Sequence, residues 1–499
     1  MININEINKE YHIYEDSFIR TSLFSLCVVK KNNKKYICID KDFGFKDIIT
    51  NEIFIDGQRG AKGPGEGHSF KSKNFPYVIF PLSWENYFIL SNLIPNLKPT
   101  KCNNISSFGC GDRLGLVTTA HLKALNKYDV FPVIAQQSPR ELEKEHRTFK
   151  SVLLDAVLGI LEAGYTGPFG ADADHIKSKD RLLEAIDAKY SMYTIDVSDE
   201  LNLNNINENI LNNCSKSIID KFSGYPIQTE RSLKNQQGTK EPCEDCQTDK
   251  YCYTLSNKEL IKSACVFQSA MDKAILYHNI IKSSIKDFDF EVSIDEGPKT
   301  TTFEDHIFCS NYLKANNINF FSLAPKFPGK FQKALDYVGD IKEFTYSIYI
   351  HSEIARKMGN YKISLHSGSD KFSIYPIFKK ATKRIYHIKT SGTSYLRGII
   401  LASIRNKPLF IKMYKICLNN LEYNKKFYDV GINLKDFPNS LENIDIEKFI
   451  KDPKVTQLFH ISYGSILDNL KNEFYDFLNK NEKEHYQIVT DHIEKHLKL

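Results

Sequence analysis

From residue 104 to residue 400 the sequence keeps one rhythm: a short apolar run, a polar cluster, then a stretch of amphipathic character. The runs and their clusters read NNISSFGCGDRLG, VFPVIAQQSPRE, GPFGADADHIK, SMYTIDVSDE, FDFEVSIDEG, NFFSLAPKF, YKISLHSGSD and RIYHIKTSGTS in turn. Between most of them lie segments such as SVLLDAVLGILEAGY and HSEIARKMGN, whose apolar residues recur with helical period. About eight strand-then-helix units are what a closed (β/α)8 TIM-like barrel requires, so the fold class predicted is α/β with such a barrel at its centre. The runs show little alternation, which predicts strands covered on both faces. An open doubly wound sheet is the competing architecture, but no Gly-x-Gly-x-x-Gly follows any of the runs.

Residues 1–103 read as an N-terminal β-containing accessory region, in which SLFSLCVVKKNNKKYICID predicts two strands around a turn at Asn32 and Asn33. The glycine-rich DGQRGAKGPGEGHSF, residues 56–70, is a loop and lacks the Gly-Lys-Ser/Thr ending of a phosphate-binding loop. A surface loop or a lid are its two readings. Residues 229–255 interrupt the barrel and carry Cys243, Cys246 and Cys252, an incomplete ligand pattern for a metal or cluster. A cysteine-bearing surface excursion is the alternative. Residues 401–499, rich in Leu, Ile, Asn and Lys, predict a C-terminal helical extension.

Composition narrows the function classes. The net charge of +6 from 67 basic and 61 acidic residues is small for 499 residues, and no basic stripe with interleaved aromatics appears, which excludes a nucleic-acid binder. Apolar stretches such as YVIFPL fall far short of the ~20 residues of a membrane span. With no signal-peptide pattern at the start, a cytoplasmic protein with reduced thiols is expected.

In a (β/α)8 barrel the carboxyl ends of the strands converge on one rim, so the polar clusters should meet there. His175 ends the third unit, Asp196 the fourth, Asp295 and Glu296 the fifth, Lys326 the sixth, His366 the seventh and His387 the eighth. Histidines and acids on one rim suit Zn²⁺, Mn²⁺ or a similar divalent cation. The competing reading of Asp172 and Asp174 is that one of them caps the helix predicted over HIKSKDRLLEAI. Lys326 and Lys389 read either as Schiff-base lysines or as cationic clamps for a carboxylate.

The motifs FGCGDRLGL, AQQSPREL, GADADHIK, SLAPKF, LHSGSDKFS and HIKTSGTSYL resemble the tagaturonate/fructuronate epimerase family, the UxaE-type isomerases of hexuronate catabolism. The resemblance runs from about residue 105 to residue 400 and does not extend to the cysteine-bearing insert. It implies a divalent-metal-dependent epimerase of a keto-hexuronate without a nucleotide cofactor. Carried over by residue, it implies Asp174 as proton acceptor, Glu296 as proton donor, and His175, His366 and His387 as metal ligands. Arg113, Lys326 and Lys389 are the candidate partners of the substrate carboxylate. Asp112, Gln136, Gln137, Ser367, Ser369, Asp370 and Thr393 are candidate partners of its hydroxyls.

The substrate chemistry accords with these groups. Tagaturonate and fructuronate differ at C3, whose proton is not acidified by the C5 ketone. The C3 hydroxyl is β to that ketone, so retro-aldol cleavage of C3–C4, rotation of the aldehyde and re-closure would invert C3. That route needs a base, an acid and a cation near the ketone oxygen. The alternatives are a metal-dependent aldolase acting on a related sugar acid and a non-catalytic sugar-acid binding protein.

Overall fold

The computed structural model describes residues 7, 10–22, 24–40, 77–102, 105–202, 257–428 and 430–498. The glycine-rich stretch 56–70 and the three cysteines Cys243, Cys246 and Cys252 lie outside these residues.

Eight parallel strands close into a barrel: β1 (Ser107–Cys110), β2 (Phe131–Gln137), β3 (Gly170–Ile176), β4 (Met192–Asp196), β5 (Asp289–Ser293), β6 (Ser322–Ala324), β7 (Lys362–Leu365) and β8 (Tyr386–Thr390). Each strand neighbours the next in sequence, and β8 neighbours β1. Helices follow the strands, among them Lys179–Asp187, Asn257–Ser284, Phe303–Ala315, Ile341–Lys357 and Tyr375–Ala381. Several begin at caps written locally in the sequence. The side chains of Ser178, Thr302 and Asp340 accept hydrogen bonds from the backbone N–H groups of Arg181, Asp305 and Lys342. Ser178 caps the helix after β3, so neither Asp172 nor Asp174 is spent on that task.

Little alternation was expected along the strands, and here the structure differs. In β5, Phe290 and Val292 alternate with Asp289, Glu291 and Ser293, and every one of these residues is buried. Lys362 and Ser364 in β7, and His387 and Lys389 in β8, repeat the pattern. The polar series is deeply enclosed because it bonds to itself across the barrel, whereas the apolar series packs outward. Both series count as buried, which is why composition alone blurred them.

By contacts the chain forms two compact units, residues 1–100, 110–171 and 392–498 in one, residues 101–109 and 172–391 in the other. The first holds an antiparallel sheet in which Ser25–Lys31 pairs with His12–Ile13, Ile19–Arg20 and Lys34–Asp40, and the last pairs with Tyr77–Phe80. Lys31 faces Lys34 across a two-residue turn, with Asn32 and Asn33 at φ 51° and 63°, as a type I′ hairpin demands. Cys27, Val29 and Cys38 pack with Ile7 and Ile13 beneath it. The C-terminal helices Thr393–Arg405, Lys407–Asn419, Pro453–Ile461, Tyr463–Lys480 and Glu482–Leu497 belong to the same unit. Among the described residues no helix is long and apolar enough to cross a membrane.

Candidate active site

The rim residues of the second unit start from a distortion in β3. Successive side chains of a regular strand point to opposite faces. The pairing of β3 with β4 slips between Ala173 and Ile176, and His175 takes φ 51°, a left-handed value uncommon outside glycine. Such a bulge re-aims a side chain. Asp174 and His175, adjacent in sequence, thereby both turn toward His366, and one ligand atom from each of the three lies within 4.8 Å of the others. The His175 and His366 ring centres are 4.7 Å apart, edge to face.

Beneath these residues sits a buried ion cluster. Lys389 Nζ lies 2.7 Å from Asp172 Oδ2, 2.8 Å from Asp174 Oδ1 and 2.8 Å from Glu291 Oε1. It also donates to Thr194 Oγ1, which in turn reaches Asp172 Oδ1 at 2.9 Å. Burial alone would lower the Lys389 ammonium, but Asp172, Asp174 and Glu291 raise it above the ordinary lysine value. Lys389 is thus enclosed among three carboxylates that favour its charged form. Burial pushes Asp172 up to about 6 despite Lys389, with Asp174 and Glu291 adding to the rise. Burial opposes ionisation of Asp174 as well, but Lys389, His175 and His366 hold it well below the usual carboxylate range.

Each rim histidine is gripped at one nitrogen by a carboxylate. His175 Nδ1 is 3.1 Å from Asp196 Oδ2, and His366 Nε2 is 2.7 Å from Glu291 Oε1. Burial would lower both imidazoles. Asp174, the Asp196 hydrogen bond, Asp295 and Glu296 instead raise His175 to about 10. Asp295 and Glu291, working against Lys389, raise His366 to about 9. An environment that raises one half-buried and one buried imidazole is one that favours added positive charge, and a divalent ion satisfies it as protons do. His366 Nδ1 is buried with Asp295 Oδ1 at 3.1 Å, so an acid stands beside the nitrogen that Glu291 leaves open. The residues present therefore fit a cation: two imidazoles and a carboxylate within reach of one point, with further acids beside them.

Not every residue expected at the site is there. His387 stands apart from the donor set, with Nδ1 at 2.9 Å from Ser107 Oγ, and burial lowers its imidazole to about 3. Being the second residue of β8, it lies deep in the strand rather than at its carboxyl end. Glu296 stays on the rim, about a third exposed, with Lys177 Nζ at 3.3 Å. Lys326 Nζ donates to the Gly297 carbonyl at 2.6 Å, tying the loop after β5 to the loop after β6. Ser367, at φ 48°, accepts from Lys333 Nζ at 3.0 Å, and Asp370 follows in the same loop at φ 60°. Ser369 exchanges hydrogen bonds with the Ser391 backbone.

The remaining expected residues belong to the first unit. The Asp112 carboxylate accepts from the backbone N–H groups of Leu114, Gly115 and Val117, building its own turn. Arg113 is 2% exposed. Its Nε and Nη2 donate to Glu141 Oε1, its Nη1 to the His460 carbonyl, and its guanidinium lies 3.9 Å over the Tyr463 ring. Those contacts engage all three guanidinium nitrogens. Gln136 and Gln137 end β2 fully buried, and Thr393 opens the helix after β8, also buried. Glu291, Thr194, Lys177 and Lys333 were missed. For Glu291 the signal was present: FDFEVS alternates acid and aromatic, a polar stripe inside an otherwise apolar strand.

A model of the UxaE family, described as tagaturonate epimerase, matches residues 14–499. A tagaturonate/fructuronate epimerase of Thermotoga maritima is 35% identical over 504 residues, covering 99% of this chain and 98% of the relative. Among solved structures, a glycerol complex of the fructuronate-tagaturonate epimerase UxaE from Cohnella laeviribosi is similar at a TM-score of 0.84 and 26% identity, covering 99% of this chain and 97% of that one. Its native crystal structure gives 0.83 at the same identity, covering 99% and 98%.

Proposed function

The chain belongs to the UxaE family of tagaturonate epimerases, an enzyme family, and from that premise we propose that it interconverts D-tagaturonate and D-fructuronate by retro-aldol cleavage and re-closure at a divalent-cation site. The observation that carries the cation is the donor set of Asp174, His175 and His366 above a cluster rich in buried carboxylates. His175 and His366 would hold the ion by nitrogen, beside a carboxylate. When bound, such an ion supplies Lewis-acid stabilisation of charge developing on the ketone oxygen.

The chain's own residues supply the proton chemistry. Lys389 and both histidines favour the Asp174 charge, so the carboxylate is in the ionised form that accepting the C3 hydroxyl proton requires. Breaking C3–C4 leaves an aldehyde of carbons 1 to 3 and an enediolate of carbons 4 to 6. Rotation of the aldehyde and attack by C4 on its other face restores the bond with C3 inverted, and Glu296 returns a proton to the C3 oxygen. Lys326 and Lys333 are the rim cations suited to the substrate carboxylate, and Ser367 and Asp370 to its hydroxyls. Arg113 and Lys389, by their enclosure, are assigned to structure. His387 is assigned to the barrel interior.

The test is NMR of the purified protein with tagaturonate, before and after EDTA and again after Mn²⁺ or Zn²⁺. Fructuronate should form, stop with chelator and return with metal. Conversion untouched by exhaustive chelation would remove the cation from the reading. Accumulation of separate three-carbon products would replace epimerisation by aldol cleavage.

A further inference from the structure

Two carboxylates at the site have no part in the proton transfers: Asp196 at the end of β4 and Glu291 in the middle of β5, each fully buried. Each holds a rim histidine, but by different nitrogens. Asp196 Oδ2 meets His175 at Nδ1, and Glu291 Oε1 meets His366 at Nε2. We infer that Asp196 and Glu291 are positioning residues that fix the two imidazoles in opposite tautomers, so that His175 presents Nε2 and His366 presents Nδ1 to the cation. The inference rests on the cation reading above. A ligating histidine uses a neutral nitrogen while its other N–H is held by an outer partner, which sets tautomer and ring angle.

The surroundings of the two acids differ, and the difference makes the inference testable. Asp196 Oδ1 already accepts from the Ser198 backbone N–H at 3.0 Å and the Ser198 hydroxyl at 2.6 Å. In Asp196→Asn the amide oxygen is drawn to those donors, and the NH₂ must face His175 Nδ1. That group donates, which forces the imidazole proton onto Nε2, the nitrogen the cation needs. In Glu291→Gln the opposite holds. Lys389 and His366 both donate to Oε1, so the amide oxygen stays there and the NH₂ turns to Ser322 Oγ, which accepts as readily as it donates. The His366 tautomer survives that change.

The experiment is a titration of the full chain with Mn²⁺ followed by electron paramagnetic resonance of the free ion. Mn²⁺ is chosen because it is bound weakly by thiols. Wild type, Asp196→Asn, Asp196→Ala and Glu291→Gln are compared, with thermal melts of each metal-free protein as the control for folding. Asp196→Asn should weaken binding on the order of 100-fold, Asp196→Ala roughly 10-fold, and Glu291→Gln less than either. A purely structural role predicts the reverse order for Asp196, because alanine removes more of the Ser198 contact than asparagine does. Equal affinities for Asn and Ala at 196, or a larger loss from Glu291→Gln than from Asp196→Asn, would overturn the positioning role while leaving the cation reading intact. A wild-type protein that takes up no Mn²⁺ would overturn both.

Discussion

Replacing Lys389 by methionine would remove the one ammonium shared by Asp172, Asp174 and Glu291 while nearly preserving its volume. Each contact, at 2.7 to 2.8 Å, is worth roughly 6 kcal/mol of gross attraction at an effective dielectric constant of about 20. Most of that is offset by the desolvation of the lysine itself, which the substitution also removes. What remains is the cost of leaving buried carboxylates without a counter-charge, about 3–5 kcal/mol, with the upper end expected because three acids lose one partner. That is a large part of the about 5–15 kcal/mol that holds a typical domain folded.

The pH dependence supplies the check. In wild type the Lys389 value is raised, so its contribution is fully present below the unfolded value of about 10.4 and is lost only above the folded one. It is therefore constant between about pH 5 and pH 8. Asp172 lies at about 6 even with the lysine beside it and goes higher without it. As pH falls through that range the variant's carboxylates take up protons, so the gap between variant and wild type should shrink. Urea unfolding of both proteins at about pH 8 and pH 5 measures it. A gap below about 1 kcal/mol at pH 8, or one that widens toward pH 5, would refute the account.

Asp174→Asn should lower tagaturonate turnover roughly 100-fold or more, read by NMR, and, because it takes one carboxylate from the buried Lys389, should also lower the melting temperature of the metal-free protein in calorimetry. Arg113→Met should cost about 3 kcal/mol by stranding buried Glu141, and Arg113→Lys should not restore it, since an ammonium cannot span Glu141 and the His460 carbonyl together; adding Glu141→Leu should recover part of the loss in a urea double-mutant cycle. Burial pushes Asp289 up to about 7, against the Cys102 N–H and Lys362. Its folded value exceeds the unfolded one, so it weakens the fold progressively from about pH 4 to pH 7. Asp289→Asn should match wild type near pH 4 and exceed it near pH 8 by at most about 4 kcal/mol, and equal urea midpoints at the higher pH would count against it.

The barrel was legible because its signals are local. Strand length, helical period and caps such as Ser178 and Thr302 depend on residues a few positions apart, and eight units in series admit few closed arrangements. The acid–histidine step at Asp174 and His175, and His366 at the end of β7, were legible for a related reason: polar groups at strand ends have one common rim to go to. The hairpin at Asn32 and Asn33 follows from two residues that tolerate positive φ.

What the sequence did not decide is which side chain finds which partner. Arg113 and Lys389 carry the charge a substrate carboxylate needs, and only packing reveals that Glu141 and the His460 carbonyl occupy the first while Asp172, Asp174 and Glu291 surround the second. His387 and His366 look alike in the text, but two residues of register along their strands send one into the barrel and leave the other on its rim. The bulge that swings His175 beside Asp174 is likewise a matter of pairing with β4. Periodicity fixes which residues share a face of a strand. The partners met across the barrel interior are set by how eight strands close, and electrostatic energy depends on those distances, which no stretch of local sequence contains.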